Sequence, residues 1–126
     1  MKRRTGQMLN KQDEKIINLF SELGMPKNLA KTLVYISQVD ECRSRDIEQE
    51  VNMLQPQVSG AIQELTHRGW VTKRYVKKKG KGRPVHHYRL SHTLPDILKN
   101  FEEEKVQEIE IVKKNLSELE AIIKRD

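Results

Sequence analysis

The chain has 126 residues, about one domain's worth, with 24 Lys plus Arg against 18 Asp plus Glu and a formal net charge of +6. Hydrophobic residues make up 36% and aromatics only 5%, so the core is small and part of the apolar inventory is expected at a subunit contact. No apolar run of about 18 residues exists, which excludes a transmembrane helix. The basic start is followed by no apolar stretch, so no secretion leader is expected. The lone Cys42 excludes an internal disulfide and a multi-cysteine zinc site, and fits a reducing cytoplasm.

In chain order, Asn10 is placed to cap a first helix, with Asp13 in its first turn and Ile16, Phe20 and Leu23 at helical spacing. Gly24 suits the residue just past its end. Pro26 suits the first turn of a second helix. Leu29, Leu33 and Ile36 mark its apolar face, and it is expected to end near Val39. Asp40 to Arg43 reads as a short connection containing one strand pair. Ser44 is expected to cap a short third helix carrying Ile47 and Val51. Asn52-Met53-Leu54 is a tight turn. Gln55-Pro56 then opens a fourth helix, over 55–68, with Val58, Ala61, Ile62 and Leu65 on one face and Gly69 beyond its end. Two helices joined by so short a turn have helix-turn-helix spacing.

After Gly69 the period changes from helical to alternating. Trp70–Val76 and Val85–Leu90 are rich in β-branched and aromatic residues, and two glycines and a proline lie between them. They read as a β-hairpin with a basic tip at 77–84. Trp70 is expected to anchor that hairpin to the helices, with Tyr75 and Tyr88 packing on the sheet. Thr93 opens a long helix in which Ile109, Val112, Leu116, Leu119 and Ile123 follow a 3-4-3-4 spacing like a coiled-coil seam, with Phe101 upstream. A helix this long and polar cannot bury its stripe against so small a domain, so a second copy is the expected partner.

Charge is spread unevenly. Residues 1–93 carry +9 and residues 94–126 carry −3, and 71–90 holds eight basic residues with no acid. Such a block attracts polyanions. The apolar side of the fourth helix must face the core, which leaves Gln55, Gln57, Ser59, Gly60 and Gln63 to face a major groove. Glutamine offers a paired donor and acceptor to adenine, and Gly60 permits close backbone approach. The basic set Lys73, Arg74, Lys77, Lys78, Lys79, Lys81 and Arg83 is expected on phosphates, with Arg83 suited to a narrow minor groove.

The stretch Leu54–Leu65, followed by Arg68-Gly69-Trp70-Val71 and Lys79-Gly80-Lys81-Gly82-Arg83-Pro84, resembles archaeal winged helix-turn-helix transcription regulators of the broad TrmB, MarR and ArsR groups. The likeness covers about residues 26–92. It implies a mainly α fold with a small β-hairpin wing, a DNA-reading helix at 55–68 and a wing at 77–84 on backbone or minor groove. It also implies dimerisation through the flanking helices at 10–23 and 94–125. The expected organisation is an N-terminal helix to residue 25, a winged domain over 26–92 and a dimerisation helix over 93–126.

The expected function is sequence-specific binding of double-stranded DNA by a homodimeric transcription regulator. The alternative is a winged-helix module that docks on transcription machinery through the acidic helix 94–125. No enzyme, metal or cofactor is expected. His86 and His87 are adjacent in a strand and point to opposite faces, His67 and His92 lack partners by motif, and Cys42 has no nucleophile signature. No effector domain or membrane contact is indicated.

Overall fold

A computed structural model describes residues 9–77, 82 and 85–125. Among them the order is α1 (Lys11–Glu22), α2 (Lys27–Ile36), α3 (Ser44–Glu50), α4 (Gln55–His67), β1 (Val71–Val76), β2 (Val85–Leu90) and α5 (Leu94–Ile123). The chain divides into two compact units, Met1–Leu94 and Pro95–Asp126. The fold is mainly α with one small antiparallel hairpin.

Local chemistry sets the helix ends. At α1 the Asn10 side chain accepts from the Asp13 N–H at 2.8 Å, and the Asp13 carboxylate accepts from the Asn10 N–H at 2.9 Å. This reciprocal box satisfies two donors that a helix start leaves unpaired. Asp13 is itself buried and also accepts from the Gln38 side chain, which ties α1 to the residues after α2. Gly24 and Gly69 have φ of 102° and 79°, and each closes a helix in the same way. Gly24 N–H donates to Ser21 and Met25 N–H to Phe20; Gly69 N–H donates to Thr66 and Trp70 N–H to Leu65. These paired bonds need a left-handed residue, which glycine adopts at no steric cost. In each case the next residue, Met25 or Trp70, is driven inward and buried.

Two helix limits differ from expectation. α2 stops at Ile36 rather than near Val39. There the Ser37 hydroxyl donates to the Val34 carbonyl, and the Gln38 and Val39 N–H groups bond three residues back, so the last turn tightens and ends. α3 includes Ser44 as its first residue instead of using it as a cap. The capping role falls to Asp46, whose carboxylate accepts from the Arg43 N–H at 2.8 Å.

α2 is the hub of the first unit. Seven of its ten residues are buried, and it packs against α1, α3, α4 and β2. Leu33, Ile36, Ile47, Val58 and Leu65, from α2, α3 and α4, are among the unit's fully buried side chains. Its one polar member, Thr32, is satisfied by the Asn28 carbonyl at 2.9 Å. The hairpin pairs Val71 with Leu90 through to Val76 with Val85. Cys42 adds the expected strand pair, exchanging both backbone bonds with Tyr88 at 3.0 and 2.8 Å. Trp70 and Tyr88 are buried as expected, but Tyr75 is not: it is 65% exposed, with only an edge contact to His86.

The second unit is the helix α5, 30 residues long and therefore about 45 Å. From Val106 onward its large apolar side chains stand in solvent. No helix among the described residues is long and apolar enough to cross a membrane.

Replacing Asn10 with Ala removes one half of the α1 box. Urea unfolding should show a loss of about 1 kcal/mol; an unchanged midpoint would mean that Asp13 alone holds that end.

Candidate nucleic-acid interface

α4 presents two chemically distinct sides. Val58, Ala61, Ile62 and Leu65 are buried against α2, α3 and β1. At 3.6 residues per turn, the opposite face carries Pro56, Ser59, Gly60, Gln63 and His67, with Gln55 and Gln57 at its flanks. All seven are exposed. The predicted readers therefore lie together on one open surface, joined by His67 and Pro56, which pattern reading passed over because neither has a pairing signature of its own.

Within that surface, Gln57 is committed. Its Oε1 accepts from the Leu54 N–H at 2.9 Å, the one half of a capping box that remains when leucine stands at the cap. Gln57 thus keeps both its N–H donors but only one carbonyl lone pair for a ligand. Gln55 and Gln63 have no hydrogen-bond partner among the described residues and keep both. Gly60 is unusual in another way. A Cβ built there meets nothing within 4 Å, and its φ is ordinary. A mid-helix glycine costs about 1 kcal/mol relative to alanine, and no contact among the described residues requires it.

The tip-side half of β2 lies beside the start of α4. A cleft of about 480 Å³ is lined by Arg43, Arg45 and Glu48 of the α3 region, Gln55 of α4, and Val85, His86 and Tyr88 of β2. Arg45 is exposed and has no ion pair among the described residues. Its basic charge at the start of the first motif helix was the one available signal for this edge of the surface.

The predicted wing residues separate into three groups. Lys73 and Lys77 are exposed. Arg74 is engaged within the chain: its Nε and Nη2 donate to the two Glu41 carboxylate oxygens at 2.6 and 2.8 Å, and His87 Nδ1 lies 3.1 Å from the same carboxylate. Arg74 thereby clips β1 to the connection before α3. Glu41 could not be paired with Arg74 from sequence, because the two are 33 positions apart. The wing-tip residues Lys78, Lys79, Lys81 and Arg83 lie outside the described residues.

The hydrogen bond from Arg74, aided by that from His87, holds the Glu41 carboxyl below its ordinary value, and the same bond raises Arg74. The Cys42 thiol is buried, and burial, with the Asp46 and Glu41 charges, pushes it up to about 12. It stays a neutral thiol and a poor nucleophile. Burial likewise raises Tyr35. Among the described residues, no group of three or more His, Cys, Asp or Glu side chains is placed to hold a metal ion.

On α5, Ile109, Val112, Leu116, Leu119 and Ile123 are between 52% and 73% exposed and share one side of the helix. Phe101, expected upstream on the same seam, is instead 3% exposed, with the Lys105 ammonium 5.2 Å from its ring centre.

No protein-family profile matches the sequence, and a search of curated proteins gave no match. Solved structures do resemble the fold. TrmBL2, an archaeal chromatin protein whose structure shows a novel mode of DNA binding, superposes with a TM-score of 0.54 at 17% identity over 89% of this chain and 42% of its own. A transcriptional regulator gives 0.54 at 12% identity over 88% of this chain and 71% of its own. The transcriptional regulator PA4135 gives 0.50 at 18% over 91% and 89%. The chain thus spans less than half the length of the chromatin protein it resembles. The fold it shares with them is that of winged helix-turn-helix regulators.

Because the folded-state value of Glu41 is lowered, its ion pair stabilises the chain above the ordinary carboxyl value of 4.5 and is lost as pH falls through the lower value. Urea unfolding of Glu41→Gln and the parent chain should differ at neutral pH, and the gap should close as the pH drops below 4.5. A gap that persists in acid would show that the clip is not electrostatic.

Proposed function

We propose that this chain is a sequence-specific double-stranded DNA-binding regulator of transcription that acts as a homodimer. α4 enters the major groove with Gln55, Ser59, Gly60 and Gln63 toward base edges and Gln57 as a donor. Lys73, Lys77 and the basic tip follow the backbone, with Arg83 in the minor groove. Phosphate contacts position the protein while the helix reads bases. Arg74 serves this surface indirectly, by holding the hairpin.

The observation that carries this reading is Gly60. It weakens a helix that has room for a side chain at that point. A residue that costs stability and is not needed by its own fold fits a surface that a partner approaches at backbone range. The basic hairpin beside it supports a polyanionic partner, and the winged-helix fold supports a duplex rather than folded RNA, whose major groove does not admit a helix.

The α5 seam supports the dimer. Five large apolar residues at coiled-coil spacing stand open on the helix, with Val106, Ile111 and Ile122 exposed beside them, and a partner helix would cover the seam. Two copies would set their α4 helices in major grooves about 10 bp apart, or a multiple of it, on a near-palindromic site.

Selection of bound fragments from random DNA, followed by affinity measurement over a salt series, tests the reading. One enriched sequence and a steep fall in affinity with salt are expected; equal affinity for all sequences would end the claim of base readout. Gly60→Ala should raise stability by about 0.5–1 kcal/mol and yet weaken specific binding. Unchanged binding would mean that the backbone there is not approached. Separately, Leu116→Glu should convert dimers to monomers in sedimentation equilibrium, and a dimer that survives it would place the interface elsewhere.

A further inference from the structure

Leu54 is the most exposed large apolar residue among the described residues of the first unit, at 69%. It is also the N-cap of α4, with extended backbone at φ −79° and ψ 152°. Both facts are unfavourable within the chain. Leucine cannot cap, and replacing a polar cap by an aliphatic residue costs about 1 kcal/mol. An exposed leucine also forfeits the burial that its side chain would otherwise gain. The Gln57 side chain holds the Leu54 N–H, the other half of such a box. That bond fixes the backbone at Leu54, and so fixes where the side chain projects.

On the reading that α4 enters the major groove, we infer that Leu54 is a specificity-determining residue that packs on the 5-methyl group of a thymine. A recognition helix brings its N-terminal residues to the base edges. In the major groove the thymine methyl is the one apolar feature that any base pair displays, and apolar side chains read it. The flanking residues are polar and suited to neighbouring bases: Gln55 is exposed with both amide atoms available, and Gln57 retains its donors and one carbonyl lone pair. A serine in place of Leu54 would cap the helix but could not recognise a methyl group. The same position therefore trades helix stability for discrimination between thymine and the other bases.

Deoxyuridine differs from thymidine only by that methyl group, which gives a direct test. In the site selected by the full chain, each thymidine is replaced in turn by deoxyuridine and affinity is measured. One position per half-site should lose about four-fold, the worth of one buried methyl-sized group. Leu54→Ala should bind thymidine and deoxyuridine equally at that position and keep its other base preferences. Leu54→Ser should do the same while unfolding at a higher urea concentration than the parent, which separates lost recognition from lost folding. A parent chain indifferent to every replacement, or a Leu54→Ala chain with the parent's preference intact, overturns the inference and leaves DNA readout by α4 standing. If no sequence is enriched at all, the reading on which it rests falls, and the inference with it.

Discussion

The packing of α4 on α2 is the constraint on which the rest of this molecule depends. α2 is surrounded by four elements and buries Leu33, Val34 and Ile36 almost completely. Against it and its neighbours α4 sets a stripe of only four residues, Val58, Ala61, Ile62 and Leu65. A stripe that narrow holds the helix in one rotation about its axis. The outer face is then turned to solvent, and every residue on it is exposed. The surface proposed to read DNA is thus a by-product of close packing on the other side.

What occupies that free face is not what stability alone would select. Gly60 weakens the helix without any close neighbour to excuse it, and Leu54 leaves the helix start without its own side-chain cap. Gln57 holds only the N–H of Leu54, with one lone pair of its carbonyl. Such local departures from helix-forming preference are expected where a surface serves a partner, because consistency across local and global structure is relaxed at functional positions.

The hairpin is held by devices of a different kind. A left-handed glycine turns the chain at the end of α4 and sends Trp70 inward, where Arg68 covers its ring at 4.8 Å. The Cys42–Tyr88 strand pair and the Glu41–Arg74 clip attach the sheet to the connection between α2 and α3. The hairpin base is therefore joined to the helix-turn-helix by apolar burial, backbone pairing and charge together. Arg74 looks like one more cation in a basic run, but its position makes it part of this attachment.

Sequence alone determined the elements and their order, because each has a local cause. Asn10 with Asp13, the two glycines with positive φ, and the change from helical to alternating period after Gly69 all act within a few residues of chain. The buried stripes of α2 and α4 were legible for the same reason, since periodicity reports which face is apolar. Tertiary structure decided what depends on residues distant in sequence or on competition for one group. Only the fold brings Glu41 to Arg74, pairs Cys42 with Tyr88 and buries its thiol, leaves Tyr75 exposed and buries Phe101 while Leu116 stays open. The glutamine at 57 illustrates the limit most plainly. Its residue type marked it as a candidate base reader, and only the structure shows its carbonyl also accepting from the Leu54 N–H.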